Sequence, residues 1–257
     1  MGVWTCIIRV LKMNMLHLSA EDPLAVSVVE AIHAGDLPRV NRLLAENPGL
    51  AGARLGYPDE TSRTLLHILA DWPGHFPNGA ETVRMLIAAG ADANGRFVGP
   101  HTETPLHWVA SSNDVEVLDA LLDCGADIDA RGAVIGGGTP LDDAVAFGQW
   151  QTARRLVERG ARTSLWHMAA LGLLERLEEH FDADAPPSAD EITHAFWFAC
   201  HGGQLAIAKY LFGRGADLNW VPDWEEQTPL DTARREGADE LVVWLRDRGA
   251  RSAIVLL

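Results

Sequence analysis

Histidine and carboxylate side chains are the usual material for moving protons near neutral pH. His75, His101 and Glu103 supply both within a short stretch, with Trp72 and Arg96 beside them. If Pro73-Gly74-His75-Phe76-Pro77 folds against the segment holding Arg96, Phe97, His101 and Glu103, a pocket with imidazole and carboxylate groups results. The plainer account is that His75 and His101 stiffen loops beside Pro77 and Pro100. Other catalytic spacing is missing: there is no G-x-S-x-G, no H-E-x-x-H and no zinc-type pairing of Cys and His. Gly136-Gly137-Gly138-Thr139 leads into a helix start, where anions can bind. The lysine of a phosphate loop is absent, so a flexible loop explains those glycines. No catalytic residue, metal or cofactor is assigned, and the chain is read as a binding protein in preference to an enzyme.

The chain has 257 residues, 36 acidic against 21 basic side chains and a formal charge of −15. Gripping nucleic acid needs a field of positive charge, so that class is set aside. Apolar residues make up 47%, enough for a substantial core. Cys6, Cys124 and Cys200 cannot build a disulfide framework, which suits a cytoplasmic protein. The basic residues are Arg except Lys12 and Lys209, a bias resembling that of GC-rich bacterial genomes. Residues 1–20 are apolar but interrupted by Arg9, Lys12 and His17, so they suit neither a membrane span nor a signal peptide. They are expected to be a dispensable extension.

The elements that must position any site come from a repeat. Thr104-Pro105-Leu106-His107 recurs as Thr139-Pro140-Leu141-Asp142 and Thr228-Pro229-Leu230-Asp231, with a weaker copy at Thr64-Leu65-Leu66-His67. Thr caps a helix whose first residue is Pro, where a missing N–H does no harm. A second helix follows, for example through Val115, Val117, Leu118, Leu121 and Leu122, which keep helical spacing. Gly-Ala-Asp or Gly-Ala-Arg then closes each unit, at Gly90, Gly125, Gly160, Gly215 and Gly249. Glycine ends a helix in the left-handed conformation that a β-carbon resists. One such unit cannot bury its own apolar face and must stack on neighbours.

This pattern resembles the ankyrin repeat, over about residues 23 to 252. The resemblance implies an all-α solenoid of about seven helix-turn-helix units with β-hairpin finger loops. The repeat domain is placed at 21–252 and a tail at 253–257. The second unit carries an insertion after Trp72, and the fourth and fifth units run together, which predicts a gap in the row of fingers. In proteins resembling this family, partners sit on the finger tips and on two inner-helix positions of each unit. That carries over to Trp72, Phe147 and His201 on the helices, and to Arg96, Phe97, His101, Glu103, Trp220 and Trp224 in the fingers. A slot two or three residues earlier holds Trp108, Asp143, His167 and Phe198, and Trp108 serves packing and binding equally well. Aromatics mixed with a few charges suit an interaction surface. The resemblance therefore implies binding of a neutral or basic protein segment along the concave groove. The alternative is a small-molecule or enzymatic site at His75, His101 and Glu103.

Overall fold

The computed structural model describes residues 16–183 and 185–256. Seven helix pairs follow one another: α1 (Pro23–His33) with α2 (Leu37–Glu46), α3 (Leu65–Ala70) with α4 (Gly79–Ala88), and α5 (Pro105–Ser112) with α6 (Val115–Asp123). Next come α7 (Pro140–Ala146) with α8 (Trp150–Glu158), α9 (Leu165–Leu171) with α10 (Leu174–Phe181), α11 (Ala189–His201) with α12 (Leu205–Phe212), and α13 (Pro229–Arg235) with α14 (Asp239–Asp247). A single turn, α15 (Ala253–Leu256), follows. The seven units expected from the repeat are all present.

Six of the seven first helices are started by the same device, while α1 is capped by Asp22, which accepts from Leu24 N–H. The side chain of Thr64, Thr104, Thr139, Ser164, Ser188 or Thr228 caps the helix. The third helical residue answers by accepting from the cap's own N–H, satisfying donors that a helix start would otherwise leave open. That answering residue is His in three units, Asp142 and Asp231 in two others, and Glu191 in α11. The histidines also join units. With Nδ1 accepting from the cap, Nε2–H of His67 donates to the Glu103 carbonyl (3.1 Å) and that of His107 to Gly138 (3.4 Å). Burial lowers His67 to about 3 and His107 to about 4, so both stay neutral and serve as staples. The closing glycines adopt the left-handed conformation foreseen for them, Gly90 at φ 101° and Gly125 at φ 89°.

Three features depart from the sequence-based expectation. Residues 1–15 lie outside the described residues, but 17–19 are no loose extension. They form β1 (His17–Ser19), parallel to β2 (Arg54–Gly56), which turns back antiparallel into β3 (Ser62–Thr64). Among the described residues this first finger is the one with a strand ladder, and the next finger joins it through a Ser62–Val98 bridge. Among the described residues the later fingers are built of turns without strands. The gap near the middle is real: α8 reaches α9 through the short link 159–164, and α11 starts early enough to reach 13 residues.

The third departure concerns the insertion. Phe76 stacks on His33 of the first unit (4.2 Å between rings), and Asn78 donates to the Gly35 carbonyl. On its other side, His75 N–H donates to Asp114 and its Nε2 meets the Ser112 carbonyl of the third unit. The segment is a strap across three units, not a roof over the groove. The apolar core runs the length of the array in two clusters, which meet where Ala170, Leu171, Trp197 and Phe198 join the first and Leu165, Ala195 and Phe196 the second. At the C-terminus, Ser252 Oγ–H and Ala253 N–H donate to Asp231, docking the start of α15 on α13 while Ile254 and Val255 stay exposed.

Candidate functional site

The concave face carries a pocket of about 220 Å³ where the second, third and fourth units meet. Trp72, two residues beyond the end of α3, is 82% exposed at its rim. Trp108 from α5 and Phe147 at the end of α7 complete an aromatic lining, Phe147 being 48% exposed. Glu103, the residue before the α5 cap, lies among them and is only 6% exposed. The fold puts these side chains together because equivalent positions in successive units repeat along the groove.

Glu103 organises the site. Its Oε2 accepts from Trp108 Nε1–H (2.7 Å) and its Oε1 from Val134 N–H (2.8 Å), which ties the indole and the next finger to one carboxylate. His101 Nδ1 stands 3.1 Å from Oε2, and its ring stacks on Phe97 at 4.5 Å. Phe97 itself is buried, with its N–H donating to the Glu103 carbonyl. Arg96 is turned to the finger backbone, where Nη1 donates to the carbonyls of Thr102 and Arg131. On the opposite wall Arg63 pairs with Asp71 at 2.5 Å, its guanidinium 5.2 Å from the Trp108 ring.

The structure brings His101 and Glu103 together but not His75. The strap carries His75 to Asp114 and Ser112, where it lines a separate cavity of about 410 Å³. An inserted loop was expected to face the long finger; its short reach from α3 instead lands it on the α5–α6 turn. His201 is buried: Nε2–H donates to the Val145 carbonyl two units away, and Arg235 and Glu236 close on Nδ1. Trp220 and Trp224 pack 5.4 Å apart over His194 in the sixth and seventh units, well away from the pocket, with Trp224 53% exposed. They form a second aromatic surface on the array.

Asp143 belongs to the site and was outside the candidate set. It sits on α7 with no exposed surface, beside the Glu103 carboxyl and the Ile135 backbone, with no donor in ordinary hydrogen-bond geometry to either oxygen. Burial first, and then the neighbouring Glu103 carboxylate, push it well above the usual carboxylate range. Two acids pressed together cannot both ionise, so Asp143 holds a proton at neutral pH. The signal for it was the register: Asp143 fills the slot that holds Trp108 one unit earlier.

Stacked helix pairs with fingers along one edge and a groove beside them define a helical repeat scaffold. The comparisons agree. The description "Ankyrin repeats (3 copies)" matches residues 28–132 and 76–165, and the chain belongs to the ankyrin repeat family. An ankyrin repeat and KH domain-containing protein of Caenorhabditis briggsae is 30% identical over 187 residues, 69% of this chain and 7% of that protein. A palmitoyltransferase of Lachancea kluyveri is 35% identical over 116 residues, 44% of this chain and 15% of its own length. An E3 ubiquitin-protein ligase of Arabidopsis thaliana is 34% identical over 87 residues, 34% of this chain and 5% of its own. The chain thus spans a small part of these relatives. The human ASB11 ankyrin repeat domain shares the fold with a TM-score of 0.51 at 18% identity, covering 85% of this chain and 96% of that one. Among the described residues no helix is long and apolar enough to cross a membrane.

Proposed function

We propose that this protein is a cytoplasmic, non-enzymatic binding module that holds a neutral or basic partner segment along its concave groove, centred on Trp72, Trp108 and Phe147 around Glu103. The observation that carries this reading is Trp72. A large indole 82% exposed beside a second Trp and a half-exposed Phe is the composition of an interface anchor. The finger residues Trp220 and Trp224 extend the same face toward the C-terminus. His101, Phe97 and Arg96 shape the site from behind, and His75 and His201 hold units together.

A small-molecule site has less support. The groove pocket is about 220 Å³, below the roughly 300 Å³ at which ligand sites usually begin, and the cavity of about 410 Å³ beside His75 is lined by neither His101 nor Glu103. The separation of His75 from His101 also leaves the expected acid/base trio unassembled. The test is a paired affinity capture with the wild-type chain and a Trp72→Ala/Phe147→Ala variant. A protein retained by the wild type alone supports the groove; identical retention by both baits counts against it.

A further inference from the structure

Glu103 puts a carboxyl group on the lining of the groove pocket, where it meets the His101 imidazole at 3.1 Å and, among the described residues, forms no ion pair with an Arg or Lys of this chain. Asp143, wholly buried and outside the pocket lining, is the neighbour of Glu103, which faces the pocket. With Asp143 holding its proton, Glu103 is left as the acid that an arriving positive charge can pair with, beside the His101 imidazole. The walls suit one. Indole and phenyl faces attract a cation through their ring electrons, most strongly where water is excluded. This wall already demonstrates the chemistry, since the Arg63 guanidinium lies 4.5 Å from Tyr57 and 5.2 Å from Trp108 while paired with Asp71. The opening of about 220 Å³ suits one side chain. The formal charge of −15 steers basic segments toward the molecule as a whole.

We infer that the pocket takes a single Lys or Arg side chain of the bound segment, seated among Trp72, Trp108 and Phe147 with its charge against Glu103. This rests on the reading of the groove as a partner-binding surface, and it names the anchor that the partner must carry. Lys stretches its ammonium on an apolar stem, whereas Arg lays a planar guanidinium on an indole. Both bring one positive charge to the same carboxylate.

The experiment is a random-peptide display selection against the full chain, followed by affinity measurement of the selected synthetic peptides. Peptides that lose binding to the Trp72→Ala/Phe147→Ala variant are the ones in the groove. They are expected to share one fixed basic residue, whose replacement by norleucine weakens binding about tenfold or more. Glu103→Gln in the protein should erase most of that difference: its single amide oxygen keeps one of the two accepted bonds, from Trp108 Nε1–H or Val134 N–H, while the charge is gone. The norleucine peptide keeps the test valid even if a protein variant folds poorly. Groove-dependent peptides without a fixed basic residue, or indifferent to norleucine, overturn the inference and leave the groove standing. If no peptide depends on Trp72 and Phe147, both the anchor and the groove fall.

Discussion

At the scale of single residues, the site is built around a carboxylate whose importance shows in its hydrogen bonds more than in its position. Asp143 gives a direct check. Its folded pKa lies above the ordinary value of 3.8, so folding holds a proton that the unfolded chain gives up. Its contribution is complete below the unfolded pKa and is lost as pH rises toward the folded one. Asp143→Asn needs no proton and can donate to Glu103. The variant should therefore gain stability over wild type between pH 5 and pH 8, by about 1 kcal/mol or more, in urea unfolding. A constant difference across that range would show that folding does not raise the Asp143 pKa. Trp72→Ala should leave unfolding unchanged within about 0.5 kcal/mol because the side chain is so exposed, while groove binding is lost. Glu103, Trp108 and Phe147 were legible in the sequence because finger and inner-helix positions follow the repeat. Asp143 was harder to see, since an aspartate two residues after Pro-Leu reads as a polar helix start until its burial is known.

Among the elements, the capping boxes do two things at once: they start a helix and bind it to the next finger. His67 and His107 perform both only when neutral. Their folded pKa values, about 3 and about 4, lie below the ordinary 6.5, so the unfolded chain takes up protons first as the pH falls. The stability they give is full above pH 6.5 and declines below it. Asp143 works in the opposite sense, so the imidazoles are best read directly. Nitrogen NMR should show both rings as neutral Nε2–H tautomers down to about pH 5. Titration near 6.5 in the folded protein would refute the staple. Asp142 fills the same position as a carboxylate; burial opposes its charge, yet hydrogen bonds from His167 and Thr139 bring it down to about 2. A second check concerns α9 and α11, which approach so closely at Gly202 that an added β-carbon would meet the Ala170 carbonyl oxygen at 1.9 Å. Gly202→Ala should cost about 2 kcal/mol or more in urea unfolding, exceeding Gly52→Ala, whose added β-carbon would meet only the Gly90 carbonyl oxygen at 3.7 Å. The helix pairs were readable from Thr-Pro-Leu-His and the closing glycines. The strand β1 was not, because three residues pairing with a strand far along the chain leave no periodic signal. Nor was the landing site of the strap, which depends on how units stack.

For the whole molecule, the expectation of a seven-unit solenoid holds because six units repeat the same cap and all seven bury one face of a helix pair. The net charge of −15 sets how a basic segment meets it. Binding of the selected peptides should weaken about tenfold or more between low and high salt in calorimetry, mainly through slower association. Salt-independent binding would mean that apolar contact alone holds them. The strap has a further consequence. It crosses from His33 and Gly35 to Ser112 and Asp114, bracing the first three units against one another. Regarded as a spring, the array is stiff at this end and compliant beyond α8, where the short link 159–164 interrupts the row of fingers and the core changes clusters. A tug on its ends would stretch the far half first, leaving the rim around Trp72 in shape while the rest of the coil bends to follow its load.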